Sequence, residues 1–282
     1  MATQPGFPWM FDRVGGVDNP SYLISGHVPL GGKMTLWERI YNTCMHYAMQ
    51  YLFKIHVQDP SDDAVREYFG PDTPPIAELV KRTNLLMVNG HVSLNPARPV
   101  NPNTIYVSGL HVQVRHWERP TRPCEGLEAD LCRWMDGADR GVILFTFGSM
   151  VRSTTLPAAT KRAFKDAFAA LGPHYRVLWK YEEADDDMPA NVRTATWLPQ
   201  FHVLAHPKTV LFVTHAGLMG STEAVALGVP MLALPLFTDQ PANAALFTHQ
   251  GIAEQLHHSE LVGAGAADRV LATLRTLVDT DR

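Results

Sequence analysis

The chain has 282 residues, of which 46% are hydrophobic and 18% are charged. This length and balance are typical of a folded protein with room for two domains, and they exclude a disordered chain. The formal net charge of -4, without any basic run, argues against nucleic acid or an anionic membrane surface as the main partner.

Cysteine and histidine patterns give no sign of a metal site. The three cysteines, Cys44, Cys124 and Cys132, are too few and too scattered for a disulfide framework or a zinc site, so we expect three free thiols. The histidines lack the spacing of known metal motifs, and we expect no bound metal. Residues 1–17 do not resemble a signal peptide, and no apolar segment is long enough to span a bilayer, so we expect a soluble chain.

The first strong periodicity lies in residues 34–53, where apolar side chains recur every three or four positions. This spacing predicts an amphipathic helix. Its aromatic stripe fits the wall of a ligand pocket or a surface that touches a membrane, but such stripes ordinarily pack into a core. We therefore predict that the stripe is buried.

A short helix over 62–69 and two buried strands over 85–88 and 103–107 follow in the sequence. The segment 111–128 is rich in proline and arginine and has little apolar periodicity, which is typical of a link between domains. We predict a first domain at 1–112, which is only part of a domain, a linker at 113–126 and a second domain at 127–282.

The second domain alternates predicted strands and helices, the pattern of a doubly wound α/β sheet. The predicted strands are 141–146, 175–181, 192–197, 210–213 and 229–234. The predicted helices are 127–135, 157–171, 219–227, 243–250 and 266–278. The acidic run 182–187 between two of the strands is interpreted as a solvated loop.

A strand, helix, strand unit within residues 197–240 carries the clearest functional signal. After its first strand comes the turn His215-Ala216-Gly217, and then a helix that Gly228 ends. The unpaired N–H groups and positive dipole end at the start of such a helix favour a bound phosphate. Gly217 and Gly220 permit close approach to the backbone, and His215 can bond the same anion.

Several short motifs in this region resemble the signature of the UDP-glycosyltransferases, the family that includes UDP-glucuronosyltransferases and the insect and baculovirus ecdysteroid enzymes. They are WLPQ at 197–200, LAHPK at 204–208, FVTH at 212–215, EA at 223–224, GVPM at 228–231 and PLFTDQ at 235–240. The resemblance extends through FTFGSMVRS around Ser149 back to NPSY at Asn19, and so covers nearly the whole chain.

The resemblance implies an α/β, GT-B-like fold with two Rossmann-like domains, the first incomplete and the second nearly complete. It also implies a chain truncated at both ends, whose full-length relatives belong to the endoplasmic reticulum membrane or secretory pathway. The implied activity is inverting transfer of a hexosyl or glucuronosyl group from a UDP-sugar to a small lipophilic acceptor. No cofactor besides the UDP-sugar donor is implied. The resemblance also leads us to expect that the chain can associate with itself or with other family members.

Four segments that follow strands should meet at one sheet edge and form the donor site. Trp197 offers a flat face for uracil, with Gln200 beside it for the base edge or ribose. By resemblance, the remaining roles are the diphosphate for His215 and the glycine turn, ribose for Glu223, and the donor sugar for Asp239 and Gln240. The complete predicted set is Ser149, Trp197, Gln200, His215, Gly217, Gly220, Glu223, Asp239 and Gln240.

No catalytic residue is predicted, because no residue here matches the histidine that acts as base in the first domain of family members. Ser149, His215 and the helix start would still stabilise the departing UDP. One alternative is a truncated isoform or pseudoenzyme that binds UDP-sugar, or pairs with a full-length partner, without turnover. A weaker one is another nucleotide-sugar enzyme, such as an epimerase.

Two positions depart from the family pattern. Ala216 stands where many members have glycine, a mild change if its φ is negative. Met219 stands where many have an asparagine that touches phosphate, which leaves only the backbone N–H for the anion.

Overall fold

The computed structural model describes residues 8–91, 94–95, 97–112 and 124–279, and the chain separates into two compact units. The N-terminal unit takes in the chain up to Leu110 together with Pro241–Leu246. The C-terminal unit comprises His111–Gln240 and the chain from Phe247 onward. Most of the predicted linker, residues 113–123, lies outside the described residues.

The N-terminal unit is mainly helical with a small parallel sheet. Its two strands, β1 (Leu86–Val88) and β2 (Thr104–Tyr106), pair in parallel with Leu86 opposite Thr104. Its helices are α1 (Pro8–Phe11), α2 (Leu36–Phe53), α3 (Asp59–Phe69) and α4 (Ile76–Leu79), with a π-helical segment, Lys54–Gln58, between α2 and α3.

Helix α2 forms where its periodicity predicts, but it buries a different face. Thr35 and Glu38 form a reciprocal capping box that fixes its start. The buried side chains are Asn42 and His46. Asn42 accepts from the Ser25 N–H at 2.9 Å and donates to two backbone carbonyls, so the helix packs by holding the polar loop before it.

The prediction of a buried aromatic stripe is therefore wrong. Trp37 is 78% exposed, and the tyrosines at 41, 47 and 51 are exposed as well. The periodicity identified the helix correctly, but spacing alone does not say which neighbour a helical face meets.

The C-terminal unit is a six-stranded, all-parallel sheet with helices on both faces. The strands are β3 (Gly141–Thr146), β4 (Tyr175–Lys180), β5 (Val192–Ala195), β6 (Thr209–Thr214), β7 (Met231–Ala233) and β8 (Ala253–Gln255). Its helices are α5 (Ala129–Asp136), α6 (Ala158–Leu171), α7 (Gln200–Ala205), α8 (Leu218–Ala226) and α10 (Ala266–Val278). Helix α9 (Gln240–His249) follows β7, and its residues Pro241–Leu246 belong to the N-terminal unit.

Alternate residues of the central strands feed two separate cores. Phe145 points to the face that α6 and α10 cover, where its ring stacks on Trp179 at 4.7 Å and contacts Phe164 at 4.8 Å. Leu144 points to the opposite face, which α5, α7 and α8 cover. Burial on both faces explains why these strands are continuously apolar in the sequence.

The strand order is β5-β4-β3-β6-β7-β8. Strands β4 and β5 lie on one side of β3, and β6, β7 and β8 lie in turn on the other side. This order is that of a dinucleotide-binding, doubly wound sheet, and the point of reversal lies between β3 and β6. Loops that leave these two strands diverge there and open a crevice at their carboxyl ends. The topology therefore indicates a ligand site beside residues 147–149 and 215–217.

The predicted strands and helices of this unit are confirmed, with ends shifted by a few residues. Strand β8 was missed because its three residues, Ala253–Gln255, include two polar side chains and show no periodicity. The prediction of three free thiols is wrong, since Cys124 and Cys132 form a disulfide and Cys44 is the free cysteine among the described residues. No helix among the described residues combines the length and the apolar character needed to cross a bilayer.

Gly228 ends α8 in a Schellman motif and provides a test of the local fold. Its N–H bonds the Val225 carbonyl at 3.1 Å, the Val229 N–H bonds the Ala224 carbonyl at 2.8 Å, and its φ is +64°. No atom lies within 4 Å of a Cβ placed there, so Gly228→Ala measures the left-handed backbone cost alone. We expect a loss of about 1 kcal/mol, or a Tm lower by about 2–4 °C by calorimetry.

The matched substitution Gly228→Asn should lose less stability, because asparagine tolerates the left-handed conformation better than alanine does. Equal Tm values for the wild type and Gly228→Ala would contradict this account of the helix end.

Candidate functional site

His215 lies at the reversal point of the sheet, between the loops that follow β3 and β6. A Cβ added to Gly217 would meet its Nε2 at 2.5 Å, and one added to Gly148 would meet its Cε1 at 3.1 Å. A side chain at Gly217 would therefore clash with the imidazole and one at Gly148 would crowd it, and Gly148 also has a φ of +69°. The arrangement brings the loops of the two central strands together around one side chain.

Burial lowers the pKa of His215 below its ordinary value, and the negative charge of Asp239 partly opposes this shift. His215 is therefore a neutral imidazole near pH 7, with one nitrogen able to donate a hydrogen bond. Its Nδ1 is buried without a hydrogen-bond partner within the described protein. The ring can accordingly donate to an anion without a charged imidazolium.

Helix α8 begins directly beside this imidazole. Its N-cap is Gly217, and the first N–H to bond back along the helix is that of Ser221, which donates to the Gly217 carbonyl at 3.0 Å. The N–H groups of residues 218–220 precede this bond and have no intrahelical acceptor. Together with the helix dipole, they form an anion-binding end next to His215.

Ala216 corrects one of the sequence interpretations. Its φ is +62° and its side chain is fully buried, so the condition under which the alanine would be a mild replacement for glycine is not met. An L-residue in this conformation carries a cost of about 1–2 kcal/mol. The turn before α8 therefore holds backbone strain at the predicted anion site.

Gln200 and Glu223 contact each other directly. The Gln200 Nε2 donates to the Glu223 Oε2 at 2.7 Å, and the amide passes over Gly220, where a Cβ would meet it at 3.0 Å. Burial raises the pKa of Glu223, while the hydrogen bond from Gln200 opposes the shift. Gly220 thus leaves room for the pair of Gln200 and Glu223. The sequence predicted instead that this glycine lets a ligand approach the backbone.

Trp197 is 69% exposed, which excludes a core role for its indole. The next residue, Leu198, is buried and anchors the backbone. The Lys180 Nζ lies 5.8 Å from the centre of the indole ring, within the range of a cation–π contact. The exposed ring is therefore positioned by a cation at the end of β4.

Lys180 is itself held by its neighbours. Its Nζ pairs with Glu182 at 3.0 Å, and its carbonyl accepts from the Ser153 hydroxyl at 2.7 Å. Glu182 also accepts from the Thr154 N–H at 3.3 Å, so the start of the acidic loop is less solvated than the sequence indicates. This network ties the support of Trp197 to the loop that follows β3.

If Trp197 stacks on uracil, as the resemblance implies, Lys180 supports nucleotide binding without touching the nucleotide. We expect Lys180→Met to weaken UDP binding about two- to five-fold, since a cation–π contact on an exposed ring contributes about 0.5–1 kcal/mol. Lys180→Arg should retain most of the affinity, because a guanidinium also stacks on indole. Calorimetric titration of UDP into both variants is the measurement, and equal losses in the two would contradict the cation–π role.

Asp239 and Gln240 are both buried at the loop between β7 and α9. The Gln240 Oε1 accepts from the N–H groups of Leu236 and Phe237 at 2.9 and 3.1 Å. Its carbonyl oxygen thus holds the turn, and its amide NH₂ is the part of the side chain that can donate to a ligand.

The predicted residues lie in loops or helix starts on the carboxyl side of their strands, except Glu223, which lies in the middle of α8. Ser149 is exposed directly after Gly148. Two neighbours were missed by sequence reasoning. Lys180 could have been noticed as a cation that ends a strand of buried residues, whereas His111, whose Nε2 lies 3.0 Å from the Met219 carbonyl, gave no signal.

Comparison with known families matches residues 9–281 to the family described as UDP-glucoronosyl and UDP-glucosyl transferase. UDP-glucosyltransferase 2 of Dactylopius coccus is 37% identical over 96% of the chain and 50% of its own length. UDP-glucuronosyltransferase 2B14 of Oryctolagus cuniculus is 32% identical over 92% of the chain and 46% of its own length. The chain thus spans about half the length of these relatives.

Among solved structures, Phytolacca americana UGT2, complexed with UDP-2fluoro-glucose and pterostilbene, is similar at 25% identity and a TM-score of 0.52. The match covers 73% of this chain and 47% of the other. The parallel sheets and their helices are those of an α/β fold of the GT-B class, as the sequence predicts.

Proposed function

Because the chain belongs to the UDP-glycosyltransferase family, we propose that its C-terminal unit binds the UDP-sugar donor of an inverting glycosyl transfer to a small lipophilic acceptor. The carrying observation is the position of His215, which lies at the reversal point of the sheet between two glycines and beside the start of α8. A neutral donor and a helix N-terminus at one point suit a diphosphate.

The nucleoside would be bound on the β5 side of the crevice. The exposed indole of Trp197 can stack on uracil. Gln200, at the start of α7, and Glu223, on α8, form a polar pair. Since Gln200 already donates to Glu223, the remaining carboxylate lone pairs can accept ribose hydroxyls.

The diphosphate would be bound at the centre. As the bond to the sugar breaks, negative charge grows on the UDP leaving group, and donors that are already oriented stabilise it without reorganisation. Here those donors are His215, the N–H groups of residues 218–220 and the hydroxyl of Ser149. We propose no cofactor besides the UDP-sugar, since these hydrogen-bond donors can stabilise the negative charge of the diphosphate.

The donor sugar would extend towards the loop after β7. Asp239 can accept and Gln240 can donate hydrogen bonds to its hydroxyls, a pair that suits several hexoses. The acceptor is proposed from the family as a small lipophilic alcohol or phenol.

Donor binding is tested by titrating the chain with UDP-glucose, UDP-glucuronic acid and, as the matched control, ADP-glucose. We expect the two uridine donors to bind and to be displaced by UDP, and the adenosine donor to bind far more weakly. Equal affinity for ADP-glucose would contradict the proposal, since it would mean that the base is not recognised.

Transfer is tested separately with a radiolabelled UDP-sugar and a lipophilic phenol. The proposal predicts that any labelled product is a glycoside of inverted configuration formed together with UDP, and that these residues alone form little of it, because no catalytic base is predicted among them. Altered sugar nucleotide without glycoside would indicate an epimerase. Donor binding without either product would indicate the non-catalytic alternative, which no observation on the described residues favours.

A further inference from the structure

A second cluster of reactive side chains lies at the start of the C-terminal unit, outside the proposed donor site. It consists of Cys124, Cys132, Asp136 and His206, and one donor atom from each lies within 4.8 Å of the other three. Cysteine sulfur, carboxylate oxygen and imidazole nitrogen are all atoms that zinc takes as ligands in proteins. The sequence did not indicate this cluster, because His206 lies far along the chain from the other three.

The carboxylate of Asp136 connects the two parts of the cluster. Its Oδ2 lies 3.5 Å from the Cys132 Sγ and 4.0 Å from the Cys124 Sγ. Its Oδ1 lies 3.3 Å from the His206 Nε2. One oxygen thus faces both sulfurs, and the other faces the imidazole.

The tautomer of His206 indicates that this residue orients a metal ligand and does not bind the metal itself. Its Nδ1 accepts from the Lys208 N–H at 3.2 Å, so the proton of the neutral ring is on Nε2. A nitrogen that carries a proton cannot bind a metal, but it can orient the carboxylate that does. His206 is completely buried and Cys132 is 3% exposed, which keeps both side chains in fixed positions.

We propose that, when the disulfide is reduced, Cys124, Cys132 and Asp136 bind one zinc ion, with His206 as a positioning residue for Asp136. Reduction by a dithiol adds two electrons and two protons to the S–S bond, and the dithiol becomes a disulfide. Zinc then replaces the two thiol protons, which pass to solvent, and water takes the fourth position. Oxidation to the disulfide observed here removes both thiolates and excludes the metal.

Zinc titration of the reduced chain against a chromogenic chelator tests the proposal. The wild type should bind one equivalent after reduction and none after oxidation. Cys132→Ser should abolish this equivalent, and Cys44→Ser, which alters the exposed free cysteine, should leave it unchanged. His206→Ala should retain the stoichiometry but weaken the affinity about 10-fold, as loss of a supporting residue does.

Cobalt(II) supplies an independent readout, because thiolate coordination produces a charge-transfer absorption that carboxylates alone do not. If Cys132→Ser does not fold, Cys124→Ser at the exposed position and Asp136→Asn provide the same comparison. No zinc binding by the reduced wild type, or equal binding by the wild type and all three ligand variants, would overturn the proposal.

Discussion

Replacement of His215 by alanine should weaken UDP binding by about 10- to 150-fold, because a hydrogen bond to a charged group contributes about 1.5–3 kcal/mol. The imidazole lies between Gly148 and Gly217, beside the N–H groups that begin α8. Its removal takes away one donor to the diphosphate and leaves the helix end in place. The loss should therefore be large but incomplete, as measured by calorimetric titration of UDP.

His249→Ala is the matched control, since this histidine is exposed in the last turn of α9. Its affinity for UDP should equal that of the wild type. An unchanged affinity in His215→Ala would show that the diphosphate is not at this helix, and an equal loss in both variants would show that the effect is general destabilisation.

Trp197→Ala should weaken UDP binding by about 5- to 150-fold, because stacking of a base on an aromatic ring contributes about 1–3 kcal/mol. The indole is 69% exposed, so its removal leaves no core cavity and should not lower the Tm. Trp197→Phe should retain most of the affinity. The measurement is UDP titration together with a thermal melt.

The control is Trp37→Ala, which removes an indole that is 78% exposed in the other unit. It should have no effect on UDP affinity. If Trp197→Ala bound UDP as the wild type does, uracil stacking on this ring would be excluded.

The centre of the C-terminal sheet was predictable because strands such as Gly141–Thr146 are buried on both faces and are therefore mostly apolar. Turn chemistry was equally informative at Gly228, whose left-handed conformation ends α8. The exposed face of α2 was not predictable, since burial depends on neighbours that are remote in sequence. The disulfide between Cys124 and Cys132 was not predictable either, because a spacing of 8 residues does not say whether the two sulfurs meet.

Within the candidate site, the sequence predicted which residues follow the strands but not how they contact each other. The hydrogen bond between Gln200 and Glu223, and the cation that supports Trp197, depend on side-chain directions that no motif specifies. The positive φ of Ala216 is a further example, because alanine gives no sign of a left-handed turn.

A crystal structure of the chain, determined from crystals soaked with UDP, tests the central claim most directly. We predict uracil on the exposed face of Trp197 and the diphosphate within hydrogen-bond distance of His215 and the N–H groups of residues 218–220. UDP bound anywhere else, or a diphosphate turned away from the start of α8, would contradict the account.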